Sequence, residues 1–415
     1  MKYRIGAIDQ NFAPNRLTVT YVAICAGAVD VDPLRRAFAH TCRRYPMLRG
    51  RLHSDDDGGC YVHIPDGDRD DTVFETVHSS ISEWLARGLD TVDPTVRLAT
   101  LEIVHAGVTT AVALRVSHAI GDAHLGFELL TELWRTATAL AATGALADPT
   151  PVVPRRLEDL LHERGIPVPD VALPAPHGLY RCTPTETLGR PGLRLATEER
   201  ITLSDTDTGA LLRLARAQGT TVHALLSAAV IRAERALIAE TSGATTEDEL
   251  PMIIGHAVDL RPHLTPPAQI TDTGNGLGYA PTVTLCGPDA DLLTLGKEAK
   301  AQIVYGIDSG TALATMFAAA RNGESTPDTA VNILTNWGVV PTLESPEGVE
   351  VVDFRGFVTG DSVPELSYFV YTFRGRLSIE FTYAENHHHR TRIAELRRFV
   401  AGNLEELIDG LARLN

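Results

Sequence analysis

The feature that most constrains the fold is a segment crowded with proline, which divides the 415-residue sequence into two halves. The prolines lie between Ala147 and Leu193, at Pro149, Pro151, Pro154, Pro167, Pro169, Pro174, Pro176, Pro184 and Pro191. Proline fixes φ and lacks a backbone N–H, so this segment cannot continue a long helix or a central strand. We therefore expect a crossover linker over residues 149–193 between an N-terminal lobe, 1–148, and a C-terminal lobe, 194–415.

Each half mixes strand and helix signals. In the first half, Leu17–Ala26 and Thr109–Val116 read as strands, while one helix is expected from its cap at Asp32 to Arg44 and another over Ala123–Thr143. The second half predicts helices over Asp205–Ala217, Val222–Glu240 and Arg392–Leu411, and strands over Pro251–Val258, Tyr279–Cys286, Thr329–Thr335, Leu366–Tyr371 and Arg376–Tyr383. Two α/β lobes of similar size, with mixed sheets flanked by helices, fit this pattern best.

Composition excludes several classes of protein. Lys and Arg number 37 against 53 Asp and Glu, a formal net charge of −16, and such a field repels the phosphates of nucleic acids. The five cysteines form no CxxC pair, which suits a reducing compartment. No run of about 18 apolar residues occurs, so we expect a cytoplasmic protein without a transmembrane segment.

The residues that stand out chemically are Val116–Ala123, with the sequence VSHAIGDA. A buried alternating strand ends at His118, a short turn follows, and Asp122 stands where it would cap the next helix. Ser117 is adjacent to His118 on the strand and points to the other face, so His118 cannot activate it as a nucleophile. With no GxSxG elbow in the chain, a serine hydrolase is excluded. A packed core histidine followed by an N-cap aspartate remains the plain alternative.

The segment SHAIGDA resembles the HHxxxDG motif of the chloramphenicol acetyltransferase-like superfamily. That superfamily includes condensation domains of non-ribosomal peptide synthetases, BAHD acyltransferases and polyketide-associated acyltransferases of phthiocerol dimycocerosyl transferase type, which this sequence resembles most. Further segments that resemble the family, in the same order, are Arg44–Arg49, Leu160–Ile166, Gly219–Leu226, Val258–Pro262 with Gly274–Gly276, Thr335–Gly338 and Asp353–Gly356.

The resemblance implies two lobes that form a V-shaped pseudo-dimer with a central tunnel, and His118 midway along it as the catalytic residue. Asp122 matches the motif aspartate, a structural partner of an arginine, for which Arg261 is the candidate. We expect their ion pair to tie the His118 turn to the C-terminal lobe. Ser117 and Ala123 depart from the family, which has histidine and glycine there, and neither change removes the base.

In the reaction that the resemblance implies, His118 is the general base for transfer of an acyl group to a hydroxyl or an amine. The donor is an acyl carrier protein or coenzyme A thioester, and no resident cofactor or metal is expected. Asn336 and Trp337 are candidate donors to the oxyanion, and His124 is a candidate lining residue. Two alternatives remain: a condensation-like binding protein without transfer activity, and an enzyme in which His118 drives cyclisation or another proton transfer.

Two further features carry weaker hypotheses. Arginines on the first helix, among them Arg36 and Arg43, form either a solvated face or a docking site for an acidic carrier protein. The run His387–His389 lacks metal-ligand spacing, so a polar loop is expected there. Two covalently linked lobes need no trimer, and we expect a monomer.

Overall fold

Strands and helices alternate along the chain in the computed structural model. It describes residues 1–27, 29–54, 59–66, 72–87, 91–168, 170–171, 176–183, 195–196, 199–242, 248–323, 326, 328–361 and 363–412. The strands are β1 (Lys2–Arg4), β2 (Thr18–Ala26), β3 (Arg51–Ser54), β4 (Cys60–His63), β5 (Val73–Val77), β6 (Ala99–Ala106), β7 (Thr109–Ser117), β8 (Leu195–Ala196), β9 (Arg200–Thr202), β10 (Leu250–Asp259), β11 (Leu277–Cys286), β12 (Ile333–Val339), β13 (Glu350–Thr359), β14 (Ser367–Phe373) and β15 (Arg376–Ala384). The helices are α1 (Ala7–Asn11), α2 (Val31–Arg44), α3 (Ile81–Ala86), α4 (Ala123–Thr143), α5 (Leu157–Glu163), α6 (Asp205–Ala217), α7 (Val222–Ser242), α8 (Leu292–Asp308), α9 (Thr311–Asn322) and α10 (Arg390–Ala412). The predicted mixed α/β class is confirmed.

The chain forms two compact units. The first comprises Met1–Pro167, Arg261–Gly276 and Val340–Asp361. Its main sheet has the order β13-β2-β7-β6-β5, and β2 pairs antiparallel with both β7 and β13. Because β2 is central and its side chains are buried on both faces over most of its length, it is apolar and threonine-rich with little alternation. A small sheet, β1-β4-β3, belongs to the same unit.

Helix α2 shows how local sequence builds this unit. A stripe at i, i+4, i+7 and i+11, formed by Leu34, Phe38, Thr41 and the following Tyr45, is buried throughout. The expected cap at Asp32 is wrong by two residues, because Asp30 accepts the hydrogen bond from the Asp32 N–H and the helix begins at Val31.

The second unit comprises Val168–Leu260, Leu277–Val339 and Ser362–Asn415. Its sheet has the order β11-β10-β12-β14-β15-β8, and β9 also pairs with β15. Strands β10, β12 and β14 run parallel to one another, whereas the hairpin β14–β15 and the pair β10–β11 are antiparallel. Apolar side chains of β10, β14 and β15 pack against α6, α7 and α10 in one core.

The lobe boundaries at 148 and 193 stay a prediction, and linker residues 169, 172–175 and 184–193 lie outside the described residues. Two segments of the expected C-terminal lobe, 261–276 and 340–361, instead pack with the first unit. The strand expected over Thr329–Thr335 begins only at Ile333, because Thr326, Thr329 and Ala330 form a hydrogen-bonded turn before it.

No single helix in the described part of the chain is both long enough and apolar enough to cross a membrane. One bent pair, Leu292–Asp308 with Thr311–Asn322, meets the length and hydropathy criteria only when the two helices are taken together.

Candidate active site

His118 directly follows β7, where the strand leaves the main sheet of the first unit. Its backbone is fixed on both sides, since its N–H donates to the Leu17 carbonyl (2.7 Å) and its carbonyl accepts from Nδ2 of Asn275 (2.9 Å). His118 is only partly buried, whereas the neighbouring Ser117 is wholly buried. The end of the strand therefore fixes the backbone of His118 while the residue itself stays partly exposed.

The ring of Phe12 stacks on the imidazole. The two ring centroids lie 3.9 Å apart with an interplanar angle of 16°. Phe12 is the C-cap residue of α1, so the first helix of the chain packs against the candidate base. The sequence carried no signal for this contact, because Phe12 is separated from the motif by more than a hundred residues and belongs to no recognisable pattern.

Burial lowers the pKa of His118 below its usual value, although its own backbone carbonyl, Asp122 and the Asn275 side chain all act in the opposite direction. The net direction matters for chemistry, because only the neutral imidazole accepts a proton. Near neutral pH the side chain is therefore in its basic form.

Asp122 caps α4 and anchors the turn that carries His118. Its Oδ1 accepts from the Leu125 N–H (3.1 Å), and its Oδ2 accepts from the Gly276 N–H (2.9 Å) and from Nη1 of Arg261 (2.8 Å). Burial alone would raise the pKa of Asp122, but the Arg261 guanidinium, assisted by His124, holds it below its usual range. The carboxylate is thus ionised and fully satisfied.

Arg261 forms an ion pair with Asp122 as predicted. The expectation that this ion pair ties the His118 turn to the C-terminal lobe is wrong. The segment that carries Arg261 packs within the first unit. Nη2 of Arg261 also donates to the carbonyls of Thr273 (2.8 Å) and Gly274 (3.0 Å), so this arginine organises the loop that follows it.

The loop has no room for a side chain at Gly274 or at Gly276. A Cβ on Gly276 would lie 2.7 Å from Cγ of Arg261, and one on Gly274 would lie 2.6 Å from the Ile120 carbonyl oxygen. Asn275, between them, is buried and donates through Nδ2 to Oδ1 of Asp9 (2.7 Å) as well as to His118. Neither Asn275 nor Asp9 was predicted as a site residue, since Gly274–Gly276 stood out only by resemblance to the family.

The other candidate residues lie on other elements. Asn336 and Trp337 are on β12 of the second unit. Oδ1 of Asn336 accepts from the Gly338 N–H (2.9 Å), and the ring centroids of the buried Trp337 and Phe369 are 5.5 Å apart. His124 lies in the first turn of α4, and it helps to lower the pKa of Asp122. Their roles as oxyanion donors or lining residues stay predictions.

The arginines predicted to dock a carrier already have local partners. Nη2 of Arg36 donates to the Gly144 carbonyl (2.6 Å), and Nε of Arg43 lies 3.8 Å from Asp148. The side chain of Arg36 is 45% exposed and that of Arg43 is 37% exposed.

The histidine run lies in a loop before α10, as predicted, although His387 and His388 are buried there. His388 is completely buried, and its Nε2 lies 2.9 Å from the Pro364 carbonyl. Burial lowers the pKa of His388 to about 4. Among the residues that the structure describes, no group of three or more His, Cys, Asp or Glu side chains is placed to hold a metal ion.

Comparisons with known proteins agree with this geometry. Residues 193–382 match the family model described as phthiocerol/phthiodiolone dimycocerosyl transferase C-terminus. The chain is 28% identical, over 397 residues and 91% of each chain, to the phthiocerol/phthiodiolone dimycocerosyl transferase of Mycobacterium ulcerans. Among solved structures, it is similar to polyketide synthase associated protein 5 from Mycobacterium tuberculosis, with a TM-score of 0.77, 23% identity and coverage of 97% of this chain and 98% of that chain. It is also similar to a trichothecene 15-O-acetyltransferase from Fusarium sporotrichioides, with a TM-score of 0.69, 11% identity and coverage of 98% and 95%.

The fold is that of the chloramphenicol acetyltransferase-like acyltransferases, and the similarities support an acyltransferase. Within that class it is similar to the phthiocerol/phthiodiolone dimycocerosyl transferases, over both its N-terminal motif region and its C-terminal half.

Proposed function

We propose that this acyltransferase moves an acyl group from a thioester, carried by an acyl carrier protein or coenzyme A, to a hydroxyl of a lipid or natural-product acceptor. His118 is the general base. The observation that carries the proposal is the state of His118: the residue is only partly buried, its lowered pKa keeps it neutral near pH 7, its ring stacks on Phe12, and its backbone is held by Leu17 and Asn275. A histidine that only filled space in a core would need no such exposure.

The transfer balances without any resident cofactor. His118 takes the proton of the acceptor hydroxyl as its oxygen attacks the thioester carbonyl, which gives a tetrahedral oxyanion. Collapse of the oxyanion breaks the C–S bond, and the departing thiolate receives the proton from the imidazolium. General-base help of this kind is worth about 10²–10⁴-fold in rate.

The oxyanion needs hydrogen-bond donors. Asn336 and the Trp337 indole N–H remain the candidates, together with backbone amides. Because Oδ1 of Asn336 accepts from Gly338, its side-chain amide is oriented with Nδ2 as the remaining donor group.

Direct transfer is favoured over a covalent acyl-cysteine. A cysteine nucleophile reacts as the thiolate. Burial raises the pKa of Cys25 and Cys182 to about 12 and that of Cys286 to about 11, so these thiols stay protonated. We therefore propose direct transfer, with the donor and the acceptor bound together when it occurs.

Similar proteins support an ester product. One is a trichothecene 15-O-acetyltransferase, whose acceptor atom is oxygen, and another is a phthiocerol/phthiodiolone dimycocerosyl transferase. We infer a hydroxyl acceptor for this chain, with an amine as the alternative outcome. We further propose that it acts as a cytoplasmic monomer.

Arg36 and Arg43 remain the proposed docking site for an acidic carrier protein, because one helix of an otherwise acidic protein carries both, Arg36 exposed and Arg43 partly exposed. Replacing both by Glu is expected to raise KM for a carrier-bound donor and leave KM for the matching acyl-pantetheine unchanged. An equal change for both donors would exclude docking at these arginines.

The test of the function is thiol release from acyl-pantetheine and acyl-coenzyme A donors in the presence of pooled alcohols and amines. The wild type is compared with His118→Ala and with His162→Ala, which removes an exposed histidine of α5. Release that requires acceptor and is lost only in His118→Ala supports the proposal, and mass spectrometry then identifies an ester or an amide. Release unaffected by His118→Ala rejects the role of His118, and donor binding without release indicates a binding protein. A rearranged donor in place of a transfer product indicates the repurposed enzyme.

A further inference from the structure

Helix α1 contacts His118 by two independent routes. The Phe12 ring covers the imidazole, with centroids 3.9 Å apart. Asp9, on the same helix, reaches the backbone of His118 through Asn275: Oδ1 of Asp9 accepts from Nδ2 of Asn275 (2.7 Å), and the same Nδ2 donates to the His118 carbonyl (2.9 Å). Through its C-cap Phe12, this helix of five residues contacts the side chain of the candidate base directly. Through Asp9 and Asn275, it is linked to the main chain of the same residue.

The chemistry of these contacts fixes their direction. A carboxylate only accepts hydrogen bonds and a carbonyl only accepts, so the two hydrogens of the Asn275 amide are both committed. Asp9 is itself held through Oδ2, which accepts from the Gly6 N–H (2.9 Å). Asn275 is 1% exposed and Asp9 is 9% exposed, so water cannot replace either partner freely.

We propose that Asp9 is a positioning residue for His118, which it orients through the side-chain amide of Asn275. The inference rests on the proposed role of His118 as general base. Ionised Asp9 strengthens its hydrogen bond to Asn275, since charge-assisted bonds are about twice as strong as neutral ones. The amide in turn holds the carbonyl of His118, and the imidazole keeps the position from which it meets the acceptor hydroxyl.

Asp9 is not permanently ionised. Burial raises its pKa to about 6, although the hydrogen bonds from Asn275 and Gly6 oppose the shift. The charged groups that face it are Glu158 from α5 and Asp122 from the motif turn, both of which raise its pKa, and Tyr3 of β1 lies near enough for Asp9 to raise the pKa of that phenol. Below pH 6 the proton removes the charge from the Asp9–Asn275 bond.

The first test is the pH dependence of Asp9→Asn. At pH 8 we expect kcat to fall about tenfold with little change in KM, because a displaced base slows chemistry rather than binding. As pH decreases through about 6, Asp9 of the wild type becomes neutral too. The ratio of wild-type to variant kcat should therefore fall towards one by about pH 5. A constant ratio, or equal rates at pH 8, would overturn the proposal.

A second variant separates positioning from stability. In Asp9→Asn/Asn275→Asp, the amide at position 9 donates to the carboxylate at position 275, so their contact is retained. A carboxylate at 275 cannot donate to the His118 carbonyl. We expect the double variant to recover much of the thermal stability lost in Asn275→Asp but none of the kcat, whereas recovery of both would show a merely structural role.

The control is Asp159→Asn, which removes a partly exposed carboxylate of α5 that pairs with Arg156. It should leave kcat and its pH dependence unchanged. Should His118→Ala retain full activity, the proposed function fails. Should His118→Ala be inactive while Asp9→Asn matches the wild type at every pH, only the positioning role fails.

Discussion

Nη1 of Arg261 and Oδ2 of Asp122 lie 2.8 Å apart, and the two side chains are only 1% and 2% exposed. Such a pair gives little net stability over an apolar replacement, because both charges lost their hydration on folding. Its value is geometric: one carboxylate caps α4, holds the Arg261 loop and fixes the turn after His118.

Breaking this pair should be costly. Asp122→Ala leaves Arg261 buried without its partner, for which we expect a loss of about 3–5 kcal/mol in the free energy of unfolding. Activity should fall with it, because the His118 turn loses its anchor. Chemical denaturation and turnover measure the two effects.

The control for that variant is Asp361→Ala. Asp361 pairs with Arg16 through two hydrogen bonds, but the side chains are 39% and 41% exposed, so its loss should cost no more than about 1 kcal/mol. Equal destabilisation by the two substitutions would contradict the prediction that breaking the buried pair costs more free energy of unfolding than breaking the exposed pair.

The pH profile should reflect the lowered pKa of His118. Protonation removes the base, so kcat/KM falls as pH decreases through the pKa of His118, which lies below the usual 6.5. At pH 6.5 more than half of the imidazole should therefore be neutral. The measurement uses an acyl-pantetheine donor in the Asp9→Asn background, where the carboxylate of α1 no longer titrates. A midpoint above 6.5 would be inconsistent with this environment.

Removing the Phe12 ring should slow the reaction without unfolding the protein. An aromatic stack is worth about 0.5–1.5 kcal/mol, so Phe12→Leu should reduce kcat by about 2- to 10-fold. Phe74→Leu, at a phenylalanine that is 41% exposed on β5, should have no effect. Steady-state kinetics of the two variants decide the matter, and equal rates would mean that the stack does not orient the base.

Gly126 allows α4 to pack closely on β2. A methyl group there would overlap the ring and hydroxyl of Tyr21, whose O–H lies 3.2 Å from the carbonyls of both Asp122 and Ala123. We expect Gly126→Ala to destabilise the protein by about 1–3 kcal/mol through overpacking and to lower activity, since α4 begins at the site.

The same substitution at Gly402 of α10 provides the control. A Cβ on Gly402 would have no heavy atom within 4 Å, so Gly402→Ala should instead stabilise by about 0.5–1 kcal/mol. Thermal melting of the two variants should shift in opposite directions.

Local signals account for what the sequence predicted well. Helix α4 has the predicted bounds, Ala123–Thr143, because an N-cap aspartate and a Gly144 with φ of 74° mark its ends within the sequence itself. The pairing of Asp122 with Arg261 was reached through family resemblance rather than through any local pattern. The links from Asp9 to Asn275 and from Phe12 to His118 were beyond prediction, because Asp9 and Asn275 are 266 positions apart.

The edge strand β13 has a consequence for how the protein is made. Its residues Glu350–Thr359 pair along the whole of β2, more than three hundred positions earlier. A ribosome therefore releases β2, β7 and His118 long before the strand that completes their sheet exists. Until then the apolar strand β2 has one unpaired edge, which promotes aggregation. A fragment ending at residue 193 should therefore be insoluble on its own. We expect the growing chain to need chaperones until residue 361 has emerged.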